Sequence, residues 1–198
     1  MQKINLLTGL LAGLLAGSPA SAAQMAVPRQ ASPSPVEDYI YRRINAYRES
    51  AGLPAVPRSR SLDRVAHVHV LDLAAWHPDR ETDARGIPCN THSWSSHGAW
   101  TPVCYTPDHA HAADMWNKPA QVTREAYPGN GYEIAVTTSG LTVDPDDALA
   151  SWETSRAHNA VILEQGAWGS GHWQAMGVGV YQGYAVIWFG REPDRAGG

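Results

Sequence analysis

Residues 174–189 read QAMGVGVYQGYAVIWF. Two apolar runs rich in β-branched and aromatic residues flank Gln182-Gly183, a pair suited to a tight turn, so the stretch predicts a two-stranded hairpin. Gly177-Val178-Gly179 has the look of a dinucleotide loop, but it sits inside a strand pattern and no helix follows it. A phosphate cradle needs the N-terminus of such a helix, so that reading is excluded. Upstream the chain is mainly helical. Helices first and strands last predict an α+β domain rather than a repeating parallel βαβ unit.

The helices carry clear boundaries. Ser34-Pro35-Val36-Glu37 is a capping box with proline in the first turn, and Val36, Ile40, Ile44, Tyr47 and Ala51 share the face that follows. Gly52 supplies the stop. A second helix starts near Ser61 with Leu62, Val65, Ala66, Leu73 and Trp76 on one side, and ends at His77-Pro78. Residues 77–104 read as a long loop, and a loop of that length in a compact domain is usually functional. Thr106-Pro107-Asp108 predicts a third helix running to Trp116, before Pro119. A short strand is expected from Tyr132 to Thr138. Asp144-Pro145-Asp146-Asp147 caps a fourth helix carrying Ala148, Leu149 and Trp152; the cluster lacks the glycine and distal glutamate of a calcium loop.

At 198 residues and 43% hydrophobic, the chain suits one core-bearing domain. Fifteen basic against nineteen acidic residues give a net charge of -4, and no basic run is long enough to follow a phosphate backbone, which argues against a nucleic-acid partner. Met1-Gln2-Lys3, the apolar stretch from Ile4 to Gly17 and the small tripeptide Ala20-Ser21-Ala22 predict a signal peptide over 1–22, cut before Ala23. The apolar stretch is short for a bilayer span and no other approaches that length, so no transmembrane segment is expected after its removal. The expected location is secreted or periplasmic. Residues 23–35 read as a flexible leader, 36–190 as the domain and 191–198 as a tail. In an oxidising compartment Cys89 and Cys104 are expected to pair, constraining the unfolded chain by about 3 kcal/mol; a catalytic thiol is the alternative. There is no Gly-x-Ser-x-Gly elbow, Walker loop, His-Glu-x-x-His or Cys-x-x-Cys motif.

Four stretches, in order, resemble the CAP superfamily, the SCP-type domain of cysteine-rich secretory proteins, antigen 5 and pathogenesis-related proteins, and more narrowly its bacterial branch. They are Ile44-Asn45-Ala46-Tyr47-Arg48 with Gly52-Leu53-Pro54; Leu62 to Ala66 with Asp72-Leu73-Ala74; Ala148 to Trp152 with Ser155, His158-Asn159 and Ile162-Leu163; and Met176 to Val180 with Trp188-Phe189-Gly190. The resemblance implies a three-layer α–β–α sandwich around a central antiparallel sheet. It also implies a cleft lined by two histidines and acidic residues that can hold a divalent cation.

Carried over residue by residue, His92-Ser93 resembles the first histidine motif and His158 the second histidine. Gly131-Tyr132-Glu133-Ile134-Ala135 stands where the family has Gly-Glu-Asn-Ile-Ala, which leaves open whether Tyr132 or Glu133 faces the cleft, since neighbours on a strand point to opposite faces. A second family glutamate is here Ser155. The implied metal set is His92, His158 and Glu133, a donor set suited to Zn²⁺. His97 is the reserve for the first histidine, and His172 ranks behind His158. His69, near the apolar face of the second helix, reads as a satisfied core histidine. Trp94 and Trp100, between the cysteines, either line a groove or pack beneath the loop. Glu153 and Glu164 read as solvated helix charges. The expected function is an exported, non-enzymatic module that binds a small apolar ligand or an extracellular partner through this cleft; the alternative is a metal-dependent hydrolase using His92 and His158.

Overall fold

The computed structural model describes residues 32–195, so the expected signal peptide, most of the leader and the end of the tail lie outside the described residues. Helix α1 (Pro35–Ser50) opens on the capping box: the Ser34 hydroxyl accepts from Glu37 N and the Glu37 carboxylate accepts from Ser34 N. After it come α2 (Arg60–Trp76), α3 (Ala112–Trp116), α4 (Lys118–Thr123), β1 (Gly131–Thr137), α5 (Pro145–Thr154), α6 (Arg156–Ile162), β2 (Ala175–Tyr181) and β3 (Tyr184–Gly190). The three strands form one antiparallel sheet in the order β1-β3-β2, with β3 central and buried throughout.

The pleat divides the core in two. Ile134, Met176, Val178, Ala185, Ile187 and Phe189 pack with α1, α5 and α6 on one face. Ala135, Val186 and Trp188 pack with α2 and the 77–104 segment on the other. Helices therefore cover both faces of an α+β domain. Helix α2 is buried on more than one side, as it lies between the sheet and that segment.

The glycines of the 174–189 stretch set how closely α2 lies on the sheet. Gly177 and Gly179 share one face of β2. A Cβ on Gly177 would come within 2.1 Å of the Leu62 carbonyl carbon, and one on Gly179 within 2.5 Å of that of Ala66. In register, Gly177 lies beside Trp188 and Trp188 beside Glu133, so one row crosses the sheet from bare backbone to tryptophan to carboxylate.

Two local expectations are corrected. The third helix does not begin at Thr106. The Asp108 side chain accepts from the Thr106 hydroxyl and Ala110 N, which stabilises a turn in competition with helix, and helix starts only at Ala112. Pro119 opens α4, in a first turn where a missing N–H leaves no bond unmade. Residues 77–104 have few regular elements but are tied down. A 3₁₀ turn spans Pro78–Arg80, paired residues meet at Thr82–Pro88 and Trp94–Val103, and Cys89 and Cys104 form a disulfide.

Overpacking a backbone–backbone contact typically destabilises by about 1–3 kcal/mol. Gly177→Ala is expected to lower the denaturant midpoint accordingly, because the atom it strikes is helix backbone that cannot rotate away. An unchanged midpoint would show that α2 does not need this approach.

Candidate functional site

The site begins with a polar side chain on the buried stripe of α2. His69 is fully buried, and a buried imidazole needs partners for both nitrogens. Nε2 lies 3.0 Å from the Ser93 carbonyl oxygen and Nδ1 lies 2.5 Å from Glu133 Oε1. A carbonyl oxygen only accepts, so Nε2 carries a hydrogen. The ring stacks on Trp94 with centroids 4.1 Å apart and meets Trp188 edge-on.

Glu133 projects from β1 toward α2, and its other oxygen, Oε2, lies 2.7 Å from His92 Nδ1. Burial pushes this carboxyl up, but the charge and hydrogen bonds of His69, together with His92, hold it below its ordinary 4.5. Burial likewise disfavours charge on His69, yet Glu133, the Ser93 carbonyl and Asp72 hold it above 6.5. Both directions favour the same arrangement, an ionised Glu133 carboxylate accepting from a His69 ring whose other nitrogen donates to the Ser93 carbonyl.

His92 is carried by the disulfide-tied segment. Its backbone N–H donates to the Asn90 side chain, Asn90 N donates to Tyr105 O, and Tyr105 N donates to the Ser93 hydroxyl. The Cys89–Cys104 disulfide joins the residues that immediately precede Asn90 and Tyr105. The Tyr105 ring stands edge-on to His92, and burial, then the Glu133 charge, raise its pKa.

His158 comes from the opposite layer. Ser155 ends α5 and caps α6, its hydroxyl accepting from His158 N. The residue standing where the family has its second glutamate is thus a helix cap. Helix α6 is anchored by Arg48, fully buried, which donates to Ile162 O at 2.5 Å and to Glu164 Oε1 at 2.8 Å. Burial, then the charge of His92, hold His158 below 6.5, with Glu133 partly opposing. His158 Nδ1 is buried and has no hydrogen-bond partner among the described residues.

The structure therefore places His92 and Glu133 in direct contact, with His158 close enough to feel both charges. Tyr132 points to the other face, among Trp168 and Trp173, with the Arg191 guanidinium 5.4 Å from its ring. Of the two alternatives, it is Glu133 that meets the histidines. Trp94 and Trp100 pack beneath the loop: they are 1% and 8% exposed, both in the core, with Trp100 Nε1 donating to Ser95 O, and Trp94 also forms part of the wall of a groove beside Trp76 and His97. Gly98 lets the loop close over Trp100, whose ring lies 2.1 Å from where a Cβ would be. His97 stacks on Trp76 instead, and His172 is exposed beside Glu164. Glu164 is not a solvated charge but the buried acceptor of Arg48, His172 and Trp173 N. Sequence reasoning missed His69 as a member of the site. Its signal was a histidine on the apolar stripe of α2, which must find a partner, and Glu133 on the neighbouring strand provides one.

The fit to a divalent cation can be tested on the donors themselves. Both oxygens of Glu133 are engaged by imidazoles, and both nitrogens of one of these, His69, are themselves engaged, by Glu133 and by the Ser93 carbonyl. Among the described residues no three His, Cys, Asp or Glu side chains converge to hold a metal ion. His92 and Glu133 thus form a hydrogen-bonded pair with the His158 ring nearby, and no metal-dependent step follows from them.

A sheet between helical layers, with an acidic strand residue meeting a histidine under a disulfide-tied segment, defines a domain of the CAP type. The chain belongs to the cysteine-rich secretory protein (CAP) family, whose sequence profile matches residues 41–186. No curated protein matches the sequence. Similar solved structures include an SCP-domain extracellular protein of Bacillus anthracis (16% identity, TM-score 0.51, 82% of this chain and 45% of that one). Others are a cysteine-rich secretory protein of Staphylococcus aureus (15%, 0.47, 79% and 38%) and an outer surface protein of Borrelia burgdorferi (11%, 0.48, 83% and 98%). The chain spans less than half the length of the first two, and at these identities the likeness is one of fold.

The pH signs follow from the shifts. The raised pKa of His69 gives stability that is full below 6.5 and lost as pH rises through its folded value. The lowered pKa of Glu133 gives stability present above 4.5 and lost as pH falls through its folded value. His67 and Glu37, a second contact at 2.6 Å, carry shifts of the same signs, while His158 withdraws stability as pH falls below 6.5. Glu133→Gln is expected to destabilise by about 3–5 kcal/mol at pH values where His69 stays protonated and is left a stranded buried cation, and by less once that ring gives up its proton. The wild-type-minus-variant stability difference should be largest between pH 4.5 and 6.5. A difference that rises steadily above pH 7 would contradict the ion pair.

Proposed function

We propose that this CAP domain is an exported binding module whose cleft, between His92 and His158 above Glu133, receives a polar group of a small ligand or extracellular partner. The observation that carries this reading is the unpartnered Nδ1 of His158, buried and close to His92. Glu133 fixes His92 through Nδ1, which leaves the outer ring nitrogen for a hydroxyl or amide to meet. A buried polar atom left unpaired is unfavourable by about 1–3 kcal/mol, and a ligand that pairs it recovers that free energy. Trp94 and Trp100 are buried in the core, so the reading moves from a purely apolar ligand to one with a hydrogen-bonding group.

The sequence supports export through the N-terminal stretch and the paired cysteines, and among the described residues no helix is long and apolar enough to cross a membrane. The test is native mass spectrometry on protein recovered outside the cytoplasm with Ala23 at its N-terminus, after incubation with a total lipid and metabolite extract. The expected result is an adduct on wild type that is lost in both His92→Ala and His158→Ala. No adduct, or one retained by both variants, would overturn the reading.

A further inference from the structure

Helix α2 ends on a tryptophan that the fold does not bury. At His77 the chain enters the left-handed region (φ 50°) and turns away, leaving the Trp76 indole 41% exposed. The ring is nevertheless held. His97 stacks on it with centroids 3.6 Å apart and planes 4° from parallel. His97 N donates to the Ser95 hydroxyl, and both Ser95 N and that hydroxyl donate to Asp72 of α2. The result is an aromatic plate fixed at the surface, backed on one side by an imidazole.

Beside the plate lies a groove of about 200 Å³, walled by Trp76, Glu81, Ser96 and His97 over Trp94, Pro102 and Val103. Its frame is rigid: Trp94 and Val103 exchange two backbone hydrogen bonds at 2.8 and 3.0 Å, and the disulfide closes the segment. A preformed groove binds without first ordering its walls. Glu81 and Ser96 are both exposed beside the ring.

The lining selects a chemistry. A hydrocarbon would desolvate Glu81 and Ser96 without pairing them. A phosphate or other anion would meet a carboxylate and no arginine or lysine. A pyranose satisfies both kinds of surface, since its C–H face packs on an aromatic ring while its rim hydroxyls donate to a carboxylate and exchange hydrogen bonds with a serine. We propose that the Trp76 groove is a binding site for a neutral hexopyranose unit of a glycan. This site is separate from the His92–His158 cleft and does not depend on the reading of that cleft.

The experiment is an NMR titration of the disulfide-intact protein, following the indole N–H signals, with cellohexaose, chitohexaose and maltohexaose as probes. Saturable shifts centred on Trp76 are expected with at least one of them. Trp76→Ala should weaken binding about two- to tenfold, the factor a ring-stacking contribution corresponds to. Glu81→Gln should weaken it as well, and His158→Ala should leave it unchanged. Trp76 caps the surface rather than the core, and a matching amide spectrum for Trp76→Ala confirms that the variant is folded. No shift at Trp76 with any of the three sugars up to their solubility limits, or affinity unaltered by Trp76→Ala, would overturn the proposal. Loss of sugar binding in His158→Ala would overturn the separateness of the two sites.

Discussion

The close approach of α2 to β2 is the contact on which the rest of the structure depends. Two glycines on one face of the strand let the helix backbone rest almost directly on the sheet. A helix held at the distance that ordinary side chains impose would carry His69 away from β1. At this distance its imidazole passes over Trp188 and reaches Glu133 on the far strand. The outer side of α2 is then covered by the 77–104 segment, whose Ser93 carbonyl and Ser95 are the partners of His69 and Asp72. The same helix thus organises the sheet face, the disulfide-tied segment and the contacts of Glu133 with the histidines.

Glu133 is the electrostatic counterpart of that packing. A carboxylate in this position would be strongly unfavourable alone, and the imidazolium of His69 offsets its desolvation while backbone and ring contacts satisfy what remains. Because the carboxylate is shared, it also orients His92 through Nδ1, so one buried anion fixes the charge of one histidine and the direction of another. Both of its oxygens are engaged in that work, which is why the cluster is short of donors for a cation even though the fold is that of a CAP domain. The cluster is left with imidazole nitrogens rather than with an open coordination position.

Much of this was legible in the sequence. The final hairpin, the capping box at Ser34, the strand at residues 131–137 and the Asp144 cap are set by local preferences and lie where those preferences put them. The family resemblance rested on residues whose tasks the structure makes plain, such as Asn45, which exchanges hydrogen bonds with Val56, and Arg48, which binds α6. What escaped was non-local. Nothing near Glu164 in the chain reveals Arg48, and nothing near His69 reveals Glu133, because each pair is brought together by packing across layers. Trp94 and Trp100 suited a groove by type and position, but the loop folds inward and buries them. Asp108 misled in the opposite way: its cap-like pattern serves a turn, and the helix waits for Ala112.

The account stands on His69 being a buried cation paired with Glu133. The most direct measurement is nitrogen NMR of the histidine rings in uniformly labelled protein near neutral pH. Both nitrogens of His69 should appear protonated and hydrogen-bonded, and Nδ1 of His92 should carry a hydrogen. In Glu133→Gln, His69 should revert to a neutral ring. A neutral His69 in the wild type, with one bare nitrogen, would contradict the account.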